Sequence, residues 1–403
     1  MITFDMINTL ALSGLVVILG YGIRKFIPPL ERVNIPAPVL GGLVIALMQL
    51  VSRSLGTTIF AFDTALQAPL MTAFFTSIGL SCSVSLLRSG GPKILPFLII
   101  AILFTFIQNA AGIAVAVPLG QHPLFGVMNS SVTLVGGPAT GLAFAPLFEK
   151  AGITGASSMA IASAMTGILS GGLIGAPLGT WLITRHRLVP TIQGGDSEIA
   201  VSESESSNAS RDSLSEYTEG YHALVNLVAL LVAMWLGSLI GRGLSALGIT
   251  LPGYIGAMIV GAAIRNIADI TGFVPLSQKT IDTIGTTALS LFIAMAMMTL
   301  RLWELADVAL PMLAVIAVQI LLVTIACIWP LFRLFGGDYN AAIMTTGFLG
   351  FMLGTMANAM ANMESLAEKF GPAREAFLVV PIVGAFFIDF ANALIITMFL
   401  NIL

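Results

Sequence analysis

The chain has 403 residues, of which 57% are hydrophobic and only 9% carry a charge, and its formal net charge is −3. An ordinary soluble domain carries about 25% charged residues, so this composition excludes a soluble globular protein and indicates a chain that crosses a membrane many times. We therefore expect the chain to lie in a lipid bilayer and to have no nucleic-acid partner.

Apolar segments of roughly 20 residues match the thickness of a bilayer core when they are helical. The first of them has no basic residue before it and no small-residue cleavage motif after it, which favours a retained helix over a signal peptide. Five segments precede a polar central tract, and five follow it. They are 9–27, 36–52, 67–87, 94–118 and 155–184, then 221–247, 252–270, 282–300, 306–335 and 375–401.

The two apolar halves match each other at a roughly constant offset. Pro36 before a Gly-rich span corresponds to Pro252, and Asp63 at the start of another span corresponds to Asp282. Weak internal symmetry of this kind is typical of secondary transporters built from repeats. Since five helices per half is an odd number, the second half must run inverted relative to the first. We predict an all-α polytopic membrane protein with two inverted-topology repeats of five transmembrane helices, each with a re-entrant hairpin.

The predicted repeats are residues 1–184 and 220–403. The tract between them, 185–219, holds seven of the 20 acidic residues and few large apolar side chains. It cannot bury enough apolar surface to offset the entropy of ordering, so we expect a disordered acidic linker on the cytoplasmic side.

Two Gly-rich segments, 126–148 and 341–366, are left over, and they are either ordinary helices or re-entrant hairpins. Irregular backbone at membrane depth persists where it lines a cavity, which favours the hairpins. With both termini outside, that topology places 13 of the 17 basic residues on the cytoplasmic side, as the positive-inside rule requires.

The two Gly-rich segments are the first candidate site. Interrupted helices expose N–H groups that attract carboxylates, and free carbonyls and hydroxyls that suit Na⁺. The alternative is that small residues merely allow close helix packing. The predicted substrate-binding residues are Ser130, Ser131, Thr133, Gly136, Gly137, Thr140, Gly141, Gly354, Thr355 and Asn358.

Asp389 is the second candidate for a functional site, because it is the only charged residue in the apolar span from Ala376 to Leu403. An ionisable group at that depth is costly and marks a functional site by default, although a structural carboxylate is the alternative. We predict Asp389, Asn109, Asn362 and Asn392 as Na⁺ ligands or their supports. Gln108 and Gln319 are weaker candidates that could simply bond neighbouring helices.

No basic residue lies deep in any span, so an anionic substrate must be held by N–H groups, hydroxyls, amides and the coupling cation. The chain has no GxxxxGK[ST] or HExxH motif, and we expect neither an enzyme nor an organic cofactor. An uncoupled channel is the alternative outside the transporter class.

The chain resembles the bacterial sodium/glutamate symporter family along nearly its whole length. The longest matching passages are LSLFIAMAMMTLRLWELADVALPML from Leu289 and ANMESLAEKFGPAREAFLVVPIVGAFFIDFANALI from Ala361. Shorter ones include SVTLVGGPATG from Ser131 and IQNAAGI from Ile107. The resemblance implies Na⁺-driven uptake of L-glutamate across the bacterial inner membrane by a homodimer with an elevator-like motion.

Two departures fall at the predicted substrate site. This chain has Pro138 and Ala139 where the family motif is GGHGTG, and Thr355 with Met356 near the place of a Thr-Pro pair. Another small amino or carboxylic acid is therefore the alternative substrate.

Overall fold

The computed structural model describes residues 2–27, 35–55, 60–89, 91–190, 212–246, 252–272, 275–306 and 308–403, which are almost entirely helical. The helices of the first half are α1 (Met6–Phe26), α2 (Ala37–Ser54), α3 (Gln67–Ser81), α4 (Val84–Ser89), α5 (Ile94–Ala116), α6 (Pro123–Val127), α7 (Gly137–Lys150) and α8 (Ala156–His186). Those of the second half are α9 (Asp212–Ala246), α10 (Gly253–Thr271), α11 (Gln278–Met298), α12 (Ala309–Ala326), α13 (Phe332–Leu334), α14 (Tyr339–Met352), α15 (Met356–Phe370), α16 (Arg374–Ile382) and α17 (Ile388–Ile402).

Within the described ranges, nine helical stretches are long and apolar enough to cross a membrane. They coincide with nine of the ten expected spans and fit a polytopic membrane protein. The tenth, 67–87, is interrupted, because α3 ends at Ser81 and Cys82 leaves the helical region with φ −79° and ψ 80°. A helix of 15 residues rises only about 22 Å, which is short of a bilayer core.

One small element was not expected in an all-α chain. Strand β1 (Ile2–Phe4) pairs in parallel with β2 (Phe60–Phe62). The amide of Asp63 extends the pairing by donating to the carbonyl of Phe4 at 3.1 Å. The N-terminus and the start of α3 therefore lie at the same end of the molecule, as they must when the antiparallel pair α1 and α2 lies between them.

The tract expected as a linker is partly helical at its ends. Helix α8 continues to His186, and α9 begins at Asp212, nine residues before the expected span at 221–247. The remaining prediction, disorder of the acidic Ser-rich stretch, concerns residues 191–211, which lie outside the described residues.

The helices pack as two groups, each drawn from both halves of the chain. In the first, α1 packs on α2 and α11, and α3 packs on α10 and α11, while α9 covers α10. In the second, α5 contacts α6 and α12, α7 contacts α8, and α14 contacts both α8 and α15. Helix α17 completes the second group against α5. A crevice runs between the groups where α11 faces α7.

Candidate functional site

The first Gly-rich segment is a broken helix. After α6 the backbone leaves helical geometry at Asn129 (φ −88°, ψ 15°) and Ser130 (φ −119°, ψ −117°). Gly137 then has φ +65°, a left-handed conformation that only glycine adopts without strain. A β-carbon on Gly141 would lie 3.2 Å from Cγ2 of Thr133, although eight residues of straight helix span about 12 Å. The chain therefore turns back on itself between these two residues.

The second Gly-rich segment is broken in the same way. Helix α14 ends at Met352, and α15 begins at Met356 after an extended Thr355 (φ −141°, ψ 164°). A β-carbon on Gly347 would lie 2.6 Å from Sδ of Met363, although 16 residues of straight helix span about 24 Å. The two helices thus lie side by side and form a helical hairpin with its turn at residues 353–355.

The two breaks meet each other in the interior. A β-carbon on Gly137 would lie 3.7 Å from both the carbonyl oxygen of Gly354 and Cγ2 of Thr355. Gly137 and Gly354 are buried, whereas Ala357 in the first turn of α15 is exposed. The structure therefore brings together two segments that are 217 residues apart in sequence.

Two helix N-termini face this meeting point without side-chain caps. Neither the residue before α7, Gly136, nor the one before α15, Thr355, accepts a capping bond on its side chain. The Thr355 hydroxyl and Oδ1 of Asn358 are buried there without hydrogen-bond partners. Uncapped N–H groups and the positive end of the helix dipole form an environment that suits a carboxylate.

Ser131 lies in the middle of a buried polar cluster beside the first break. Its backbone amide donates to Oδ1 of Asn109 at 3.2 Å, and its carbonyl accepts from Nδ2 of Asn392 at 3.0 Å. All three residues have no solvent exposure. Helices α5 and α17 thus hold the irregular backbone from both sides, and this replaces the helical hydrogen bonds that the break removes.

Two glutamines extend the cluster and join the two breaks. Nε2 of Gln319 on α12 donates to the Ser130 hydroxyl and to the Gln108 carbonyl, both at 2.7 Å. Nε2 of Gln108 on α5 donates to the Met352 carbonyl at 3.1 Å, at the end of α14. Each half therefore contributes a glutamine that bonds to the broken segment of the other half.

Several polar atoms of this cluster are buried and have no hydrogen-bond partner, although buried polar groups normally find one. They are Oε1 of Gln108, Nδ2 of Asn109, Oγ of Ser131, Oε1 of Gln319 and Oδ1 of Asn392. Four of these five atoms are neutral oxygens, the ligand type that a hard monovalent cation accepts. Across the described residues, no group of three or more His, Cys, Asp or Glu side chains could hold a metal ion. A cation here would be held by neutral oxygens.

The remaining predicted residues support the first break. The Thr133 hydroxyl bonds to the hydroxyl of Ser163 on α8 at 2.8 Å. Gly136 packs against the side chain of Thr140, and Gly141 packs against Ala160 of α8. These side chains and close approaches hold the start of α7 against α8.

Three predicted residues lie apart from the polar cluster. Asp389 lies on α17 three residues before Asn392 and three residues after Phe386, whose carbonyl accepts from Sγ of Cys82 at 3.7 Å at the interrupted end of α3. Nδ2 of Asn362 donates to the Gly171 carbonyl at 3.0 Å, and Nδ2 of Asn358 donates to the Ile168 carbonyl at 2.7 Å. The two asparagines thus fasten α15 to α8.

Comparison with known proteins agrees with this architecture. The family model described as Sodium/glutamate symporter matches residues 2–372. The chain is 39% identical over 403 residues to the sodium/glutamate symporter of Escherichia coli strain K12, covering 99% of this chain and 98% of that protein. It is 37% identical over 404 residues to the sodium/glutamate symporter of Haemophilus influenzae, covering 97% of this chain and 96% of that protein.

Proposed function

The chain belongs to the sodium/glutamate symporter family, and we propose that it carries L-glutamate into the cell together with Na⁺. The family is one of transporters, so the chain is a transporter and not an enzyme. Its nine apolar helices within the described ranges make it a multi-pass membrane protein. In our proposal it lies in the bacterial inner membrane as a homodimer, with both termini outside.

The observation that carries the proposal is the meeting of two uncapped helix N-termini beside Gly137 and Gly354. A helix N-terminus carries about half a positive elementary charge, and its effect is strongest where water is excluded. Together the two termini offer a carboxylate the charge that no deep basic side chain supplies. Both broken segments act as re-entrant hairpins in this proposal, and their tips bind the substrate between the inverted repeats.

Na⁺ binds next to this substrate site in our proposal. The unpartnered oxygens of Ser131, Gln319 and Asn392 are its ligands, and the Asp389 carboxylate contributes charge from about one turn before Asn392 on α17. An ion held by Ser131 and by two side chains that are hydrogen-bonded to the first break fixes that break in the geometry that also binds substrate. Each ligand then raises the affinity for the other by the same factor, as reciprocal coupling requires.

Alternating access follows from the two helix groups. The group with α5–α8 and α12–α17 carries both breaks, and the group with α1–α3 and α9–α11 carries neither. We propose that the first group moves across the membrane relative to the second, which is an elevator-like motion. Phe144 of α7 packs edge-on against Tyr254 of α10, with ring centroids 5.4 Å apart, so this apolar contact would have to slide.

The test is uptake of labelled L-glutamate into proteoliposomes with and without an inward Na⁺ gradient. Accumulation that requires the gradient supports the symporter. Equilibration without accumulation would indicate an uncoupled channel. Because Pro138 and Ala139 depart from the family motif, the second candidate is another small amino or carboxylic acid. Such a substrate would accumulate only with the inward Na⁺ gradient and would compete with labelled glutamate for uptake.

A further inference from the structure

The crevice between the two helix groups widens into a polar cavity at the end of the molecule that carries β1 and β2. The cavity has a volume of about 490 Å³. Its wall includes Gln67 at the start of α3, Glu149 at the end of α7, and Arg301 with Glu304 after α11. Each of these elements supplies one wall, so the cavity lies between the proposed moving and stationary groups.

A second cavity of about 220 Å³ continues from the first, because both are lined by Thr64, Gln67, Ser157 and Thr299. It extends to Leu142 on α7.

The lining of the smaller cavity follows one face of each of three helices. It includes Gln67 and Met71 on α3, Ala296 and Phe292 on α11, and Pro146 and Leu142 on α7. Residues three or four apart share a helix face, so the crevice descends along these three faces. Leu142 lies about one and a half helical turns from the start of α7 at Gly137. The crevice therefore leads toward the meeting point of the breaks.

The outer cavity carries charges of both signs. The guanidinium of Arg301 pairs with the Glu304 carboxylate at 3.4 Å, and its side chain is 68% exposed. An exposed pair of this kind holds its partners weakly, so Arg301 can exchange Glu304 for another carboxylate. Nε2 of Gln67 is a buried donor without a partner in the same wall. Glu149 accepts from the Ser157 hydroxyl at 3.2 Å and adds a second carboxylate.

The loop between α7 and α8 packs against the backbone of residues 301–304 and so positions the segment that carries Arg301 and Glu304. The Ser158 hydroxyl donates to the Arg301 carbonyl at 2.8 Å. Gly155, with φ +70°, lies so close to Glu304 that a β-carbon would be 3.0 Å from that of the glutamate. The loop is thus pressed against residues 301–304 and holds the two sides of the cavity in register.

We propose that this cavity is an outer binding subsite for an α-amino acid on its way to the breaks. Arg301 and the Gln67 amide bind the α-carboxylate, while the carboxylates of Glu149 and Glu304 bind the α-ammonium group. One cationic and two anionic side chains complement this dipolar headgroup and disfavour a dicarboxylate that lacks the ammonium group. The inference rests on the proposed function for the direction of travel, since the cavity must face the side from which the substrate comes.

The first experiment measures initial rates of L-glutamate uptake in intact cells for Arg301→Gln and Gln67→Leu. Loss of a charge-assisted contact that forms before translocation raises KM, and for Arg301→Gln we expect a rise of about fivefold to tenfold with a maximal rate within about twofold of wild type. Arg301→Lys should recover part of the affinity. Lys150→Gln is the control, because this cation follows Glu149 but does not line the cavity. A KM for Arg301→Gln equal to that of the control would overturn the proposal.

The second experiment does not depend on glutamate uptake. Ser157→Cys is labelled in intact cells with a membrane-impermeant thiol reagent, and the parent protein gives the background because Cys82 and Cys327 are both buried. L-Glutamate or another α-amino acid should slow the labelling, whereas glutarate, which lacks the ammonium group, should not. Equal protection by both, or no labelling at all, would overturn the subsite. Protection by amino acids in a protein that does not accumulate glutamate would refute the proposed function and keep the subsite.

Discussion

Gly137 and Gly354 lie against each other, so close that a β-carbon on the first would contact the carbonyl oxygen of the second at 3.7 Å. Each interrupts a helix, and each belongs to a different half of the chain. Their contact places two helix N-termini at one buried point, and this geometry underlies the proposed substrate site.

Replacing Gly137 tests whether its left-handed backbone matters. An alanine at φ +65° is strained by about 1–2 kcal/mol, so Gly137→Ala should lower the free energy of unfolding by that amount and reduce uptake strongly. Thermal unfolding in detergent and uptake in proteoliposomes measure the two effects. The matched control is Gly172→Ala in the interior of α8, where a β-carbon meets no atom within 4 Å. If both variants behaved alike, the conformation of Gly137 would have no special role.

Replacing Gln319 tests the hydrogen bonds that join the two halves of the chain. Gln319→Met keeps the shape but removes the donor to the Ser130 hydroxyl and the Gln108 carbonyl. Interhelical hydrogen bonds in membranes contribute about 0.6–1.7 kcal/mol each, so we expect a lower thermal midpoint and a loss of uptake.

The control for this change lies on the same helix. Thr324→Val also removes a polar atom from α12, but the Thr324 hydroxyl is buried and has no partner. Its removal should leave stability unchanged or raise it slightly, because no bond is lost. A loss of stability equal to that of Gln319→Met would show that the glutamine bonds contribute nothing specific.

The proposed cation site predicts an order of effects along α17. Asn392→Ala removes a proposed ligand and should raise the Na⁺ concentration for half-maximal uptake by about tenfold, equivalent to about 1.4 kcal/mol. Asp389→Asn should raise it less, since this carboxylate lies about one turn before Asn392 on α17 and apart from the polar cluster. Asn401→Ala, nine residues beyond Asn392, should leave the Na⁺ dependence unchanged. The reverse order for Asn392 and Asp389 would assign the ion to Asp389.

Asn266 of α10 holds the interruption that follows α3. Its Nδ2 donates to the Cys82 carbonyl at 2.9 Å, and its Oδ1 accepts from the Val84 amide at 2.8 Å. Asn266→Ala leaves two backbone groups without partners and should cost about 1–3 kcal/mol in thermal unfolding. Asn266→Asp keeps the acceptor for the Val84 amide but loses the donor to the Cys82 carbonyl, so its stability should lie between that of the wild-type protein and that of Asn266→Ala. An aspartate variant as unstable as the alanine variant would argue against the bond to Val84.

The sequence predicts much of this fold because its signals are local. Length and hydropathy predict ten spans, and nine of them are long apolar helices within the part of the chain that the structure describes. The Gly-rich composition of 126–148 and 341–366 indicates where helices break. The sequence does not indicate the interruption at Cys82, because SCSVSLL is apolar enough to continue a span. What breaks that helix is Asn266 together with Asp269, which accepts from Ser83, and both lie on a distant helix.

At the candidate site, too, the sequence marks individual residues but not the partners that distant helices bring to them. A polar side chain inside an apolar span marks Asn109 and Asn392, and the structure brings both to Ser131. Gln319 and Gln108 carry the same signal, yet their role depends on which break each one faces, and only the fold determines that. Asn362 is predicted from its place in the second Gly-rich segment, but its side chain bonds to α8 and lies apart from the cluster.

The most direct test of the proposed site is equilibrium binding of L-glutamate to the purified protein at low and high Na⁺, in wild type and in Asn392→Ala. The proposed site predicts that high Na⁺ raises the affinity of the wild-type protein at least about tenfold, a coupling free energy of about 1.4 kcal/mol, and that the variant loses most of this gain. An affinity for glutamate that is the same at both Na⁺ concentrations, in wild type as in the variant, would contradict a joint site for the ion and the substrate at the two breaks.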